Sequence, residues 1–414
     1  MNSKNMHTRL VFLGILLLLG HYSFCMVQAG DVHFYDFVLK EKNFTKLCNT
    51  QSILVVNDSF PGPIIRVYKG DTVYVNVHNQ GYYGITIHWH GVKQPRNPWS
   101  DGPEYITQCP IEPGSNFTYE VIFSDEEGTL WWHAHSDWTR ATVHGAIVIL
   151  PPVGSTYPFA KADDEEIIVL AAWYDGNLKE LVDEAIVTGD DLPHSVANTI
   201  NGEPGDFCPC SKANQPLGHY YMATRQYSSE DASVTGFDHV NTTAILQYKG
   251  NYTIPSSPSF PSALPLYLDF MAALTFTSRI RSLANKEHLV NVPLNITERM
   301  YITVSMNLLY CPICTRAHDN ETLVSTLNNI SWVNPSTDVL HAYYRNISGV
   351  YTTDFPDYPP SFYNFTDDEM TAENIVLTRQ GTKVKVLNYG EAMEIVFQGT
   401  GVIQKGLIWL ILQN

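Results

Sequence analysis

The chain has 414 residues, 44% of them hydrophobic, and a formal net charge of −17. That apolar content argues against disorder for most of the chain, and the length suits two or three domains. The acidic balance disfavours nucleic acid, whose phosphates would repel the surface; it fits a soluble secreted protein, and solubility alone is its simplest meaning.

Lys4 and Arg9 precede an apolar run from Leu10 to Leu19, and Val27-Gln28-Ala29 offers small residues for cleavage. This pattern predicts a secretory signal peptide over residues 1–29. The run is too short for a transmembrane helix, which needs roughly 20 apolar residues. No other stretch is long enough, so no membrane partner is expected.

Residues 30–152 read as an all-β unit. Thr72-Val73-Tyr74-Val75-Asn76-Val77 and Asn116-Phe117-Thr118-Tyr119-Glu120-Val121-Ile122-Phe123 alternate as half-buried strands do. Pro61-Gly62-Pro63, Lys69-Gly70-Asp71 and Glu112-Pro113-Gly114 supply turns, and Gly145 to Leu150 makes a last strand before Pro151-Pro152. Short strands at this spacing predict a sandwich or barrel. A second β segment spans residues 160–250. It opens with a strand through Ile167-Ile168-Val169-Leu170-Ala171, followed by a helical patch from Leu178 to Val187 and a turn at Asn201 to Gly205. A further strand runs from Thr243 to Tyr248. Residues 251–264 are rich in Pro and Ser and read as a linker. A third segment, residues 265–414, has predicted strands at Arg299–Met306, Thr382–Leu387 and Ala392–Phe397. It ends on the apolar run Leu407 to Leu412, which reads either as a buried strand or as a non-native tail.

Cys25 falls in the leader, leaving Cys48, Cys109, Cys208, Cys210, Cys311 and Cys314, which in a secreted chain point to disulfides. Cys208-Pro209-Cys210 and Cys311-Pro312-Ile313-Cys314 could also be zinc half-sites, but neither has a His or second Cys pair at finger spacing. Asn43, Asn57, Asn116, Asn241, Asn251, Asn295, Asn320, Asn329, Asn346 and Asn364 each open an Asn-X-Ser/Thr triplet. Behind a signal peptide they predict N-linked glycans.

Two patterns carry chemistry. Along a strand, residues i and i+2 face the same way. His88 and His90 therefore project together from His88-Trp89-His90, and His133 and His135 from His133-Ala134-His135. Two such strands side by side aim four imidazoles at one place, and imidazole suits copper, zinc, iron and nickel. One pair alone would read as surface or hydrogen-bonded histidines; two in one β unit predict a metal site.

The sequence around these pairs resembles the plant laccases of the multicopper oxidase family. The matching stretches are Ile87-His88-Trp89-His90-Gly91-Val92, Trp99-Ser100-Asp101-Gly102-Pro103-Glu104-Tyr105-Ile106-Thr107-Gln108-Cys109-Pro110-Ile111, Gly128-Thr129-Leu130-Trp131-Trp132-His133-Ala134-His135-Ser136 and Arg140-Ala141-Thr142-Val143-His144-Gly145. The resemblance runs over nearly all of residues 30–400. It implies an all-β fold of tandem cupredoxin-like Greek-key β-sandwiches, the first complete and the second and third incomplete. It implies a secreted, apoplastic enzyme that oxidises lignin-type phenols while reducing O2 to water, in lignin degradation or phenol detoxification. By resemblance His88 holds the mononuclear (type 2) copper of a trinuclear cluster, and His90, His133 and His135 hold its paired (type 3) coppers. Asp101 resembles the carboxylate that hydrogen-bonds near the type 2 copper and helps deliver protons, and it also reads as a turn residue in Ser-Asp-Gly. His144 matches a family position but reads as structural, and Trp131 and Trp132 read as packing.

The pattern also departs from the family. Its late His-Pro-X-His-X-His-Gly and His-Cys-His motifs are not found, and the likeness stops near Thr400, before they would begin. A block of strands after Cys210 is missing, and the likeness resumes near His219-Tyr220-Tyr221-Met222-Ala223. The expectation is a truncated chain with no type 1 copper site, a partial cluster, and weak or absent phenol oxidation. The alternatives are a non-catalytic copper-binding or interaction protein, or a splice or gene-model product without function. By resemblance Cys48 pairs with Cys210, whereas Cys109 lacks its family partner and is expected to be free or mispaired.

Overall fold

The computed structural model describes residues 30–155, 157, 159–160, 162–190, 193–204, 220–224, 241–246, 265–266, 269–280, 292–315, 320–361 and 378–399. The expected signal peptide, the linker at 251–264, Cys208, Cys210, the triplets at Asn251 and Asn364 and the run 407–412 lie outside these residues. No helix among the described residues is long and apolar enough to cross a membrane.

Alternation in the sequence becomes a two-faced strand wherever the pattern is clean. The first eight strands are β1 (Val32–Lys46), β2 (Asn49–Val56), β3 (Ile65–Tyr68), β4 (Thr72–Asn79), β5 (Ile87–His90), β6 (Asn116–Ile122), β7 (Gly128–Ala134) and β8 (His144–Leu150). In β4, Val73, Val75 and Val77 are fully buried while the residues between them are half-buried. The strands form two four-stranded sheets, ordered β2-β1-β4-β6 and β3-β8-β7-β5. β1 lies parallel to β4, and β3 parallel to β8. Such pairing of strands distant in sequence is the Greek-key way of closing a sandwich.

One continuous core fills the space between these sheets. Phe37, Val75, Tyr119 and Val121 come from the first sheet, and Ile87, Trp89, Trp132, Ile147 and Ile149 from the second. Phe37 lies 4.6 Å from Trp132 and Trp89 lies 5.4 Å from Tyr119, centroid to centroid. The Trp132 indole needs a glycine beside it: a Cβ on Gly145 would stand 2.6 Å from its ring. The same indole donates to the carbonyl of Pro63 at 2.9 Å.

The central segment pairs β9 (Leu170–Trp173) antiparallel with β10 (Ala197–Ile200), around α1 (Leu178–Thr188). The Asn177 side chain caps α1 by accepting from the amides of Lys179 and Glu180, and Gly189 ends it at φ 79°. The expected strand from Ile167 begins only at Leu170. The Asn201 amide takes the ladder's place before it, accepting from Val169 N and donating to Ile167 O. A further antiparallel pair joins β11 (Tyr220–Thr224) to β12 (Thr242–Leu246), on the strand expected from Thr243, whose expected last residues Gln247 and Tyr248 lie outside the described residues.

After α2 (Phe270–Thr277), the C-terminal segment is built on β13 (Glu298–Tyr310), β14 (Glu321–Leu327) and β15 (Ile330–Ser331). α3 (Val339–Arg345), β16 (Arg379–Gln380) and β17 (Met393–Gly399) complete it, and the five strands order as β16-β15-β14-β13-β17. The expected strand at Thr382–Leu387 does not form a ladder. Its backbone bonds go to the irregular stretch around Thr352: Thr352 N donates to Thr382 O, Val384 N to Thr352 O and Phe355 N to Val384 O. Neither α2 nor α3 was expected from the sequence. Each starts at an aspartate, Asp269 and Asp338, whose carboxylate accepts an amide of the first turn.

Cys311 and Cys314 are joined in a disulfide and so do not form a zinc half-site. Cys48 is disulfide-bonded, and its expected partner Cys210 is outside the described residues. Cys109 is a free, exposed thiol, as expected.

Trp132→Ala should cost the first sandwich about 3–5 kcal/mol, because it removes a fully buried indole that packs against Phe37 of the other sheet. Urea unfolding followed by circular dichroism measures this; a midpoint unchanged from wild type would show that the core does not depend on the indole.

Candidate metal centre

The site grows from one antiparallel pair. Strands β5 and β7 are aligned so that His88 faces His133, Trp89 faces Trp132 and His90 faces Trp131. Directly opposed residues share a face. Trp89, Trp132 and Ala134 therefore fill the core, while His88, His90, Trp131 and His133 line the other face. His135 follows the end of β7 on that same face, held there by its backbone amide donating to Thr86 O. The Ser136 hydroxyl in turn accepts from Thr86 N.

The imidazoles converge. Ring nitrogens of His88, His90 and His133 all lie within 4.8 Å of one another. Nδ1 of His90 is 3.1 Å from Nε2 of His133. The His135 ring lies 5.3 Å from His88 and 5.8 Å from His133, stacked on the latter. All four expected ligands thus meet on one face.

Two anchors set which nitrogen each ring offers. Nδ1 of His88 lies 2.7 Å from the carbonyl oxygen of Asp101. A carbonyl only accepts, so Nδ1 carries the proton and Nε2 keeps its lone pair. Nδ1 of His133 donates likewise to the carbonyl of Ala134 at 2.8 Å. The Asp101 carboxylate is farther off, with Oδ1 3.5 Å from His88 Nδ1. What orients His88 is thus the Asp101 backbone rather than its side chain. Gly102 permits the approach: at φ 97°, a Cβ there would sit 1.9 Å from the carbonyl oxygen of Ile87. Sequence alone cannot show a carbonyl contact of this kind. The third aromatic feature, Trp131 against the histidines, was legible in principle, because Trp131 stands two residues before His133 and so shares its face.

Electrostatics keep these rings neutral. Burial, reinforced by the neighbouring histidines, pushes His133 down to about 3 and His90 down to about 4. Burial also lowers His88 and His135. Neutral imidazoles with converging lone pairs are the donor set of a borderline transition-metal ion, not of a hard cation. His144 stands apart: its Nδ1 donates to Arg140 O at 2.7 Å and its ring packs edge-on against Phe60, which fits the structural role expected for it.

The family described as Multicopper oxidase matches residues 38–153, the same sandwich that carries the four histidines. Over 448 residues the chain is 41% identical to Laccase-21 of Oryza sativa subsp. japonica, covering 88% of this chain and 76% of that protein. Over 470 residues it is 39% identical to Laccase-14 of Arabidopsis thaliana, covering 96% and 79%. The crystal structure of a laccase from Botrytis aclada shares the fold at a TM-score of 0.52 and 19% identity, over 80% of this chain and 69% of that one. A cupredoxin-like sandwich presenting clustered imidazoles belongs to a multicopper oxidase. Within that class the chain is a member of the laccase family, which implies a copper cofactor. The residues present fit it: four neutral imidazoles, two of them fixed by carbonyls in the tautomer that keeps the lone pair on Nε2.

Beside this site Glu104 is pushed up to about 7, mainly by burial and further by the carboxylates of Asp137 and Glu112. Its ordinary value is 4.5, so between the two the folded chain holds a proton that the unfolded chain has lost. Stability should therefore fall as pH rises from about 4.5 to 7, by roughly 1–3 kcal/mol after solvent screening. Glu104→Gln should flatten that fall and exceed wild type above pH 7. Unfolding midpoints measured across this window check it, and parallel pH profiles for the two proteins would contradict it.

Proposed function

We propose that His88, His90, His133 and His135 are the first-sandwich half of a trinuclear copper cluster in a laccase-type oxidase of phenols. His88 serves the type 2 copper; His90, His133 and His135 serve the paired type 3 coppers. The observation that carries this reading is the 3.1 Å approach of His90 Nδ1 to His133 Nε2 within the same group as His88. Two neutral imidazole nitrogens so close, on strands held in register by a ladder, are placed to share one ion.

Bound copper would supply one-electron oxidation of phenols and reduction of O2 to water. The chain's own residues do the rest. Asp101 O and Ala134 O hold the Nδ1 protons of His88 and His133, so that each ring keeps its lone pair on Nε2. The core face of β5 and β7 keeps water from the back of the site. The Asp101 carboxylate, half-buried and 3.5 Å from His88 Nδ1, is positioned to pass protons between solvent and the site. The division into units at 30–152, 160–250 and 265–414 gives the cluster its frame, with the histidines all in the first. Secretion into the apoplast, N-linked glycans and lignin-type phenols as substrates complete the reading. Exposed side chains at Asn43, Asn116, Asn295, Asn320 and Asn346 suit glycan attachment.

A second reading is favoured by one feature of the sequence. These 414 residues contain neither a His-Cys-His nor a His-Pro-X-His-X-His-Gly motif, so on their own they offer four cluster ligands and no thiolate between two histidines. In this reading the chain holds copper without oxidising phenols by itself.

Purified chain, stripped with chelator and reloaded with Cu(II), should bind copper, and His88→Ala and His133→Ala should each lower that affinity at least about tenfold. Metal analysis and a competition titration read this out, and unchanged copper binding in both variants would refute the assignment. Oxidation of a phenol, with the intense absorption of a copper thiolate, would exclude the second reading.

A further inference from the structure

Trp131 and Trp132 are adjacent, yet their surroundings have little in common. Trp132 is fully buried between the sheets. Trp131 is half-buried on the histidine face, directly across from His90 and two residues before His133. Its ring stacks on His133 at 4.2 Å and 30°, and meets His90 at 5.2 Å and 39°. Across the ladder on its other side stands Ala146, small enough to leave the indole room.

The three rings of the cluster differ in one respect. His88 and His133 each donate Nδ1–H to a backbone carbonyl. His90 has no carbonyl anchor among the described residues; its side-chain hydrogen bond is the one between its Nδ1 and His133 Nε2. Those are the two nitrogens that would both have to turn lone pairs toward a shared ion, and that would abolish the bond between them. A ligand histidine ordinarily keeps its orientation through a hydrogen bond from its other nitrogen. For His90 an aromatic face stands in that place. Offset and tilted aromatic contacts at these distances are favourable beyond the area they bury.

We propose that Trp131 is a positioning residue of the histidine cluster, whose indole holds the His90 and His133 rings with their facing nitrogens together. The proposal rests on the copper-site reading above for its purpose, but not for its geometry. A leucine at 131 would fill the space without a flat face to stack, whereas a phenylalanine would keep the face, so both variants should fold.

The test compares wild type, Trp131→Phe and Trp131→Leu in the full chain. Long-range proton–nitrogen NMR of the imidazoles is recorded without metal, and Cu(II) affinity is measured by competition. Trp131→Leu should broaden or shift the His90 and His133 ring signals and weaken Cu(II) binding about tenfold, within the range typical of lost supporting contacts. Trp131→Phe should restore most of both. Ring signals in Trp131→Leu that match wild type would overturn the proposal, as would equal copper affinity in the Phe and Leu variants. Wild-type protein that fails to bind Cu(II) would refute the copper reading, while the metal-free ring spectra would still decide whether Trp131 orients the rings.

Discussion

The register between β5 and β7 governs everything chemical in this chain. Because side chains alternate with a period of two, the pairing of His88 with His133 and Trp89 with Trp132 sends the imidazoles to one face and the indoles of Trp89 and Trp132 to the other in one step. Moving one strand by a single residue would turn its histidines into the core and its core tryptophan, Trp89 or Trp132, outward. The apolar core therefore enforces the metal face: burial of Trp89, Trp132 and Ala134 costs too much to give up, and the histidines follow. The β7–β8 ladder extends the same logic by setting His133 against His144 and Trp131 against Ala146.

Sorting the rings onto a buried face has an electrostatic consequence. His88 and His133 are almost entirely shielded from solvent, and a proton on any one ring would be both poorly solvated and close to the others. Burial and mutual repulsion thus favour the neutral forms together. Neutrality is also what a metal demands of an imidazole. One arrangement therefore satisfies the requirement of the fold and the requirement of the site. The carbonyls of Asp101 and Ala134 then settle which nitrogen of His88 and of His133 carries the proton.

How far the sequence disclosed this depended on whether the determinant was a side-chain pattern or a backbone contact. The two His-X-His pairs, the alternating strands β4 and β6, and helix α1, expected from Leu178 to Val187, were legible, because each is written in residue type and spacing. The role of Asp101 was only half legible. Its carboxylate is visible in the sequence, but the atom that bonds His88 at 2.7 Å is its carbonyl oxygen, which every residue possesses. The same limit explains Thr382–Leu387, whose alternation suggested a strand but whose partners are an irregular stretch around Thr352. It explains the late start of β9 too, where the side chain of Asn201 replaces a neighbouring strand.

The loop that holds His88 also joins the first sandwich to the C-terminal segment. It leaves the short turn Pro98–Ser100, passes Asp101 and Gly102, and reaches Cys109 within a few residues. Along it, the carbonyls of Tyr105 and Ile106 accept from the first amides of α3, Val339 N and Leu340 N, at 3.0 and 2.9 Å. The first amides of a helix have no partner within it, so this loop supplies partners that the helix lacks. At the same junction the Cys109 thiol lies 3.5 Å from the Asp338 carboxylate, which also caps α3 by accepting from His341 N. Trp99 packs on Tyr344 at 5.1 Å from the other side. A loop fixed at both of these places cannot shift freely, and Asp101 O is part of it. The carbonyl that orients His88 therefore lies in a loop whose later residues bond a helix some 240 residues away in sequence, roughly the separation of Asp101 from α3. The loop that carries Asp101 O, the acceptor of His88 Nδ1, thus also carries the Tyr105 and Ile106 carbonyls that bond α3, and through it the C-terminal segment adjoins the support of the metal face.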